Sequence, residues 1–235
     1  MRIRFCNGDF IELEDTAKLE KLDEYAKLLV QWNGLSLIAK STESDVYGWH
    51  ILDALSILPI IEEILEFEPC NIVDFGAGGG VLGVSLARMG VENITLVERC
   101  TSKVSFLQDV LKFPSVDFDC RKVSQQLRDV SHINSVEQSD NKLELTSAES
   151  SNSFSKKKPI ILIARGVSTI TNILNAANVD IKYAILLKAY DIEAEIKEAK
   201  RYWSFDYKLY KRRAKAYGRV IFMFDIEPKN FAKKA

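Results

Sequence analysis

Five glycines within eight residues, placed directly after a short apolar run, restrict the fold of this chain more than any other feature of its sequence. The segment reads Ile72-Val-Asp-Phe-Gly-Ala-Gly-Gly-Gly-Val-Leu-Gly83. Glycine accepts positive φ angles and lets the backbone approach a ligand closely. A tight turn without a ligand explains two of these glycines, but it does not readily explain five. The segment therefore predicts a strand, a ligand-binding turn and the start of a helix, as at the carboxyl edge of an open α/β sheet.

Further short apolar runs, many of them β-branched, follow along the chain, and helical patterns lie between most of them. Strands that alternate with helices form a parallel sheet covered on both faces. Basic residues and Gly218 separate the last two runs, which predicts an antiparallel hairpin that closes the sheet. We therefore predict an α/β fold with a doubly wound, mostly parallel, seven-stranded, Rossmann-like sheet. Strands are expected at 71–75, 93–97, 116–120, 160–164, 183–187, 207–210 and 219–224, and helices at 81–89, 103–112, 169–177 and 192–202.

The chain before the first of these strands has a helical pattern. An apolar stripe indicates a helix over 16–32, which ends at Asn33-Gly34. A second helix is expected over 50–67, and Pro59 should bend or restart it. These patterns predict an N-terminal helical cap at 1–68 and a main domain at 69–227. Within that domain, 131–158 is too polar for a core element and predicts a mobile surface insertion, and 228–235 forms a basic tail.

Composition limits the classes of function. With 235 residues, of which 47% are apolar, the chain can bury one core and a small cap. The net charge is only −1, but residues 201–235 contain ten Lys or Arg and three Asp or Glu. This asymmetry permits an RNA-facing surface that includes Lys211, Arg212 and Arg213, although a solvated turn would look the same.

Metal and membrane classes have little support in the sequence. The four cysteines are widely separated and only two histidines are present, which argues against zinc and against a disulfide framework. No apolar run approaches the roughly 18 residues of a membrane span, and the N-terminus has no apolar signal segment. We therefore expect a cytoplasmic protein, which we take to be a monomer.

Two cofactors fit the glycine segment. Gly78-x-Gly80-x-x-Gly83, with Glu98 twenty residues beyond Gly78, satisfies the dinucleotide fingerprint, so the spacing does not exclude NAD. Asp74 argues against NAD, because a carboxylate beside a pyrophosphate is repelled. A carboxylate suits S-adenosylmethionine, which carries cationic ammonium and sulfonium groups. Glu98 could then accept both ribose hydroxyls, because a carboxylate has two acceptor oxygens. We therefore expect S-adenosylmethionine as the cofactor, with Asp74, Gly78 and Glu98 as contacts.

Beyond the glycine segment, the order of local motifs resembles that of the bacterial 16S rRNA guanine-N7 methyltransferases, the RsmG or glucose-inhibited division protein B family. The resemblance runs from about residue 19 to residue 224. The cofactor segment is common to many methyltransferases, whereas the others single out this family. The motifs that carry it are Trp32-Asn33, His50-Ile-Leu-Asp53, the segment from Asp74 to Gly83, Val97-Glu98, Lys103-Val104, Phe106-Leu107, Ala164-Arg165 and Leu187-Lys188.

The resemblance implies a function and further site residues. It implies methyl transfer from S-adenosylmethionine to N7 of a guanine in 16S rRNA, with the small ribosomal subunit as partner. It implies cofactor contacts at Gly76 and Val81, at the backbone of Val123 and Ser124 near the adenine, and at Arg165. Arg165 and Lys188 follow apolar runs at the carboxyl ends of predicted strands, so we take them as candidate catalytic residues. His50 is either an RNA contact or a hydrogen-bonded core histidine.

The sequence departs from the family pattern at several positions. Trp49 replaces an arginine, Leu82 replaces the proline of the loop, and Ala189 replaces a glycine. An acidic segment of the family corresponds to Val123-Ser124-Gln125 here. Two alternatives stay open: an NAD-dependent oxidoreductase that uses the same glycine segment and, because polar groups are lost, a non-catalytic RNA- or ribosome-binding relic of the methyltransferase fold.

Overall fold

A computed structural model describes residues 1–112, 115–117, 158–177, 181–188, 192–212 and 217–229 of the chain. Nine strands lie in these ranges: β1 (Arg2–Arg4), β2 (Phe10–Glu12), β3 (Asn71–Phe75), β4 (Ile94–Glu98), β5 (Ser115–Asp117), β6 (Ile160–Arg165), β7 (Ile181–Lys188), β8 (Trp203–Lys211) and β9 (Arg219–Pro228). Seven α-helices accompany them: α1 (Thr16–Gln31), α2 (Leu52–Leu55), α3 (Leu58–Phe67), α4 (Val81–Arg88), α5 (Thr101–Ser105), α6 (Ile170–Ala177) and α7 (Ile192–Tyr202).

Strands β3 to β9 form one seven-stranded sheet in the order β5-β4-β3-β6-β7-β9-β8. β3 to β7 are parallel, and β9 is antiparallel to both of its neighbours, β7 and β8. The chain order reverses at β3, whose neighbours are β4 and β6. This is the topological switch point at which open α/β sheets bind ligands. The predicted doubly wound, mostly parallel sheet is therefore confirmed, and its switch point lies directly before the glycine segment.

Side chains of the parallel strands alternate between two cores, as expected for a sheet that is covered on both faces. Ile161 and Ile163 of β6 belong to a core with the N-terminal segment, α4 and the residues Phe106 and Leu107 that follow α5. Leu162 and Ala164 of the same strand belong to a second core with α6 and α7. The first 68 residues thus share a hydrophobic core with the sheet, on the face that α4 also covers. The proposed domain boundary at residue 68 stays a prediction.

The N-terminal segment differs in detail from the expected helical cap. α1 begins after Asp15, whose carboxylate accepts a hydrogen bond of 3.1 Å from the Lys18 N–H and caps the helix. The second predicted helix has a wide π-type turn at Tyr47–Ile51, then α2, then α3. Pro59 lies in the first turn of α3, where a missing N–H costs little, so it restarts the helix as predicted. The antiparallel β1–β2 pair was not predicted.

Several element bounds in the sheet domain also differ from those predicted. The helix expected over 103–112 consists of α5 followed by a π-type turn at Phe106–Val110. The closing hairpin is longer than predicted, because β8 begins at Trp203 and β9 continues to Pro228. Of the strand expected at 116–120, residues 118–120 lie outside the described ranges. The predicted insertion and tail also lie outside them, except for residues 158 and 228–229.

Candidate active site

The turn between β3 and α4 has the backbone geometry that its glycines predict. Gly76, Gly78 and Gly80 have φ angles of +71°, +61° and +82°, which other residues adopt only with strain. A Cβ atom at Gly80 would lie 2.7 Å from the Val84 side chain, whereas a Cβ at Gly78 would have no atom within 4 Å. Gly78 thus leaves open space on one side of its backbone. We call Gly76–Gly83 the glycine loop.

Asp74 lies beneath the glycine loop. Its side chain is only 2% exposed, and its Oδ2 atom accepts a 2.9 Å hydrogen bond from the N–H of Gly83 in the first turn of α4. Burial raises the pKa of this carboxyl group to about 7, although the hydrogen bond from Gly83 and the charge of Arg165 oppose that shift. In this structure Asp74 supports the start of α4, and its predicted contact with the cofactor stays a prediction.

Glu98, the last residue of β4, contacts the glycine loop directly. Its Oε2 atom accepts a 2.8 Å hydrogen bond from the N–H of Gly78, and its Oε1 atom accepts 2.8 Å bonds from the N–H groups of Arg99 and Cys100. The carboxylate is therefore fixed at the N–H of Gly78. A carboxylate has about four lone-pair sites, so it can still accept a bond from a ligand hydroxyl.

The N-terminal segment covers the glycine loop on its other side. The hydroxyl group of Tyr25, a buried residue of α1, donates a 2.9 Å hydrogen bond to the carbonyl oxygen of Gly79. A Cβ atom at Gly79 would lie 2.9 Å from the Leu29 side chain and 3.0 Å from the Cβ of Leu37. Glycine at position 79 therefore allows α1 and the following turn to pack directly on the loop.

Asn33, from the predicted Trp-Asn motif, orders that turn. Its Oδ1 atom accepts a 2.9 Å bond from the Ile38 N–H, and its Nδ2 atom donates a 2.6 Å bond to Glu43. These bonds fix residues 33–43, including Leu37, above Gly79. Both polar atoms of the Asn33 side chain therefore have hydrogen-bond partners within the protein.

A second set of polar residues meets where β6 ends. The carboxylate of Asp53, which is fully buried, lies between the guanidinium groups of Arg165 and Arg212. Arg212 binds it through two nitrogen atoms, one of them Nε at 2.9 Å from Oδ1, and Arg165 donates a longer bond of 3.3 Å to Oδ2. Arg212 also donates a 3.3 Å bond to the carbonyl oxygen of Tyr217. One carboxylate thus joins the ends of β6 and β8.

His50 completes this set and lies one helical turn before Asp53. Its Nδ1 atom is 3.0 Å from Nη2 of Arg165, and its Nε2 atom is 2.7 Å from the Thr42 hydroxyl oxygen. Burial and the charge of Arg165 lower the His50 pKa to about 4, so the imidazole is neutral at pH 7. The Thr42 hydroxyl donates to Ala39, and Nε2 therefore donates to Thr42 while Nδ1 accepts from Arg165. We call His50, Asp53, Arg165 and Arg212 the arginine cluster.

Of the other predicted basic residues, Lys188 and Lys211 lie in the described ranges and do not belong to the arginine cluster. Lys188, at the end of β7, is 7% exposed, donates to the carbonyl oxygen of Ser168 and pairs with Glu195 at 2.8 Å. It would have to break both contacts to reach a substrate. Lys211 is exposed at the end of β8.

Three of the predicted site residues, Val123, Ser124 and Arg213, lie outside the described part of the chain. The structure brings together two groups from the others. Gly76, Gly78, Val81 and Glu98 surround the start of α4, with Asp74 beneath it, and His50, Arg165 and Arg212 meet at Asp53.

Sequence reasoning missed two residues that hold these groups in place. No role was assigned to Asp53 beyond the family motif that ends with it, and Tyr25 lies in the apolar stripe of the helix predicted over 16–32. A signal for Asp53 was present, because His50 and Asp53 are three residues apart and so share one helix face. Its partners are 112 and 159 residues away in sequence, and no local pattern reveals them.

The described residues contain no group of three or more His, Cys, Asp or Glu side chains that could bind a metal ion. In the same ranges, none of the helices has both the length and the apolar character needed to cross a membrane.

Comparisons with known proteins agree with the resemblance noted in the sequence. The family model described as rRNA small subunit methyltransferase G matches residues 18–218. The Ribosomal RNA small subunit methyltransferase G of Nitrobacter hamburgensis is 28% identical over 215 residues, which cover 88% of this chain and 72% of that protein. The protein of the same name from Rickettsia felis is 27% identical over 205 residues, with 86% and 91% covered. Among solved structures, magnesium protoporphyrin IX methyltransferase from Synechocystis, with bound SAM, has 13% identity and a TM-score of 0.46, with 91% and 99% covered.

Proposed function

The chain belongs to the rRNA small subunit methyltransferase G family, and from this premise we propose that it transfers a methyl group from S-adenosylmethionine to N7 of a guanine in 16S ribosomal RNA. The family match carries the proposal, because it extends over residues 18–218 and includes both the glycine loop and the arginine cluster. Family membership also favours the methyl donor over NAD, which the glycine spacing alone did not exclude.

The residues around the glycine loop fit S-adenosylmethionine. Gly78 has open space where another residue would carry a Cβ atom, and the Glu98 carboxylate, which already accepts three backbone bonds, can still accept one from a ribose hydroxyl. We propose that Gly76, Gly78, Val81 and Glu98 hold the cofactor, with Asp74 supporting the loop from below. Val123 and Ser124 remain proposed contacts of the adenine. The bound cofactor supplies a methyl group that is attached to a positively charged sulfur and is therefore electrophilic.

The chemistry of guanine N7 makes small demands on the protein. N7 carries an exposed lone pair, so no residue has to remove a proton before the transfer. The protein must hold N7 in line with the methyl carbon and exclude water, and alignment alone can lower a barrier by several kcal/mol. A guanine in a loop of the RNA is the easier target, since unpairing a base costs a few kcal/mol.

Arg165 is the residue that we propose to act next to the substrate. Its guanidinium group has five N–H donors and makes two contacts, one to Asp53 and one to His50. Its side chain is 20% exposed, so remaining donors can reach a carbonyl or phosphate oxygen of the nucleotide. Val167, two residues after Arg165, packs closely on the glycine loop, since a Cβ at Gly76 would lie 2.7 Å from its side chain. Both observations support a role for Arg165 between the proposed cofactor and RNA sites.

The RNA contacts are proposed on charge and position. Lys211 is exposed at the end of β8 and Arg213 lies two positions further along the chain, whereas Arg212 between them would have to release Asp53 to reach RNA. Phosphate contacts from such residues would be insensitive to base sequence and would weaken with salt. Because the small ribosomal subunit is the proposed substrate, we also propose that the protein acts in the cytoplasm. We further propose that it acts as a monomer. Lys188 and His50 remain candidate substrate-side residues.

The test is methyl transfer to small ribosomal subunits that lack the modification. Tritium-labelled S-adenosylmethionine is the donor, and the modified nucleoside is identified by mass and chromatography. We expect one labelled product, 7-methylguanosine in 16S rRNA. Label on another atom or another RNA would contradict the assignment, as would a lack of label with folded protein that binds S-adenosylhomocysteine.

A further inference from the structure

We propose that Asp53 is a positioning residue for methyl transfer, which holds the Arg165 guanidinium group at the carboxyl end of β6 and links it to Arg212 at the end of β8. The proposal rests on the proposed function, because its effect is read as a rate of methyl transfer. Asp53 itself is fully buried, so we do not expect it to contact the cofactor or the RNA. It would act through Arg165.

The first argument is the unequal sharing of the Asp53 carboxylate. Arg212 binds both oxygen atoms, whereas Arg165 contacts only Oδ2, at 3.3 Å. Arg212 is also the more buried arginine, with a side chain 10% exposed against 20% for Arg165. Arg212 therefore has the structural contact, and Arg165 keeps donors for a substrate while its direction is fixed.

The second argument is the charge of the arginine cluster. Two guanidinium groups share one carboxylate, and the neutral His50 adds no charge, so the cluster has a net charge of +1. Buried charges are costly unless paired, and removing the one acid would leave two cations facing each other in a poorly solvated place. The more exposed Arg165 would then turn towards water. Asp53 thus determines where Arg165 lies, and not only whether the fold is stable.

The third argument is that the residues of the arginine cluster come from three separate parts of the chain. Asp53 and His50 belong to the N-terminal segment, Arg165 to the central sheet and Arg212 to the closing hairpin. His50 Nδ1 and Asp53 Oδ2 hold the two ends of the Arg165 guanidinium group, Nη2 at 3.0 Å and Nη1 at 3.3 Å. The proposed RNA-facing hairpin is thus connected to the cofactor edge of the sheet by two ion pairs.

The experiment is a double-mutant cycle of Asp53→Asn and Arg165→Ala. The single-turnover rate is measured with saturating S-adenosylmethionine and saturating small subunits, and S-adenosylhomocysteine affinity is measured by calorimetry. A group that is misplaced by about 1 Å can cost about 100-fold in rate. We expect Asp53→Asn to lower the rate about 10- to 100-fold, with the affinity within about threefold of wild type. Residues that act as a unit are not additive, so the double variant should be within about threefold of Arg165→Ala.

The matched control is Glu68→Gln. Glu68 also pairs with a cation, Lys182 at 2.6 Å, and accepts a 2.6 Å bond from Tyr183, but these partners lie near the amino end of β7, away from the cofactor edge. Its rate should be within about twofold of wild type. Arg212→Gln should lower the rate less than Asp53→Asn does, because Asp53 would still hold Arg165.

Asp53→Asn could unfold the protein, and the variant Asp53→Asn/Arg212→Gln addresses this because it removes one cation together with the acid. We expect it to fold and to stay at least about 10-fold slower than wild type, because Arg165 still lacks the carboxylate that fixes its direction. The proposal is overturned if either folded variant transfers methyl groups within threefold of the wild-type rate. It is also overturned if the effects of Asp53→Asn and Arg165→Ala multiply in the double variant. A wild-type protein without guanine-N7 activity would contradict the proposed function itself, and the wild type alone reveals that result.

Discussion

The glycine loop and the arginine cluster lie at the same edge of the sheet, but they are built from different parts of the chain. The loop and its acidic supports come from one contiguous stretch, residues 74–83, together with Glu98 at the end of the next strand. The cluster joins residues that are 112 to 159 positions apart. The loop uses backbone N–H groups, whereas the cluster uses charged side chains.

This difference is also visible in the two buried aspartates. Asp74 and Asp53 are 2% and 0% exposed. Asp74 accepts a backbone hydrogen bond and has no guanidinium partner within bonding distance in the described residues, and burial raises its pKa to about 7. Asp53 has two arginine partners. The comparison indicates that one acid maintains a backbone conformation and that the other maintains the positions of charged groups.

The largest expected effect tests whether the glycine loop depends on Glu98. Glu98→Ala would leave the N–H groups of Gly78, Arg99 and Cys100 without their acceptor and would remove the proposed ribose contact. We expect calorimetry to show about 100-fold weaker binding of S-adenosylhomocysteine, which is about 2.7 kcal/mol.

Glu195→Gln is the control for this variant. Glu195 also accepts a backbone bond, from Ile170, but it lies on the opposite face of the sheet with α6 and α7. Binding should be within about threefold of wild type. Equal losses in the two variants would mean that Glu98 has no special connection with the cofactor.

The next effect concerns the pH dependence of stability. It tests whether Asp74, unlike the ion-paired Asp53, has a raised pKa. Between its unfolded pKa near 4 and its folded pKa of about 7, Asp74 is protonated in the native state and ionised in the unfolded state. The native state then binds more protons, so stability falls as the pH rises. We expect the free energy of unfolding of wild type to fall by about 2 kcal/mol relative to Asp74→Asn between pH 5 and pH 7.

Urea denaturation at the two pH values measures this difference. His50 has a lowered pKa, so its own contribution is present above its unfolded pKa and is lost as the pH falls towards 4, but it is common to both proteins and cancels. A difference in the free energy of unfolding between wild type and Asp74→Asn that does not change with pH would show that Asp74 is ionised in the folded protein. That result would contradict the account.

A smaller effect tests the packing of the glycine loop against the sheet. A Cβ atom at Gly83 would lie 2.2 Å from the Leu96 side chain and 3.2 Å from Asp74. Overpacking of this kind costs about 1 to 3 kcal/mol, and since Leu96 can partly move we expect Gly83→Ala to cost about 1 to 2 kcal/mol in chemical denaturation. Gly34→Ala is the control, because its Cβ would meet no atom within 4 Å, and it should change stability by less than about 0.5 kcal/mol. Similar costs at both positions would refute the packing argument.

The sequence predicted the local features of this protein well. The strand ending in Asp74, the glycine turn, the helix from Val81 and the acid at Glu98 all follow from periodicity and spacing within a few residues. The seven-stranded sheet followed because alternating strands and helices permit few topologies. Pro59 was expected to bend or restart a helix, and it lies in the first turn of α3.

The sequence did not predict which charged side chains would meet. Lys188 and Arg165 occupy equivalent positions at the ends of neighbouring strands, yet Lys188 pairs with Glu195 and Arg165 with Asp53. The partner of each side chain depends on the face of the sheet to which that side chain points and, for Arg165, on a residue 112 positions away. The periodicity of the sequence reveals neither. The β1–β2 pair was missed for a different reason. Its strands are only three residues long and have largely exposed side chains, so they show no apolar run.

The measurement that tests the central claim most directly is the mapping of 7-methylguanosine in 16S rRNA from cells with and without this gene. Deletion should remove one 7-methylguanosine, wild-type protein should restore it, and Glu98→Ala should fail to restore it although the protein accumulates. The central claim is contradicted if 16S rRNA has the same 7-methylguanosine content with and without the gene, or if Glu98→Ala restores the modification as fully as wild type does.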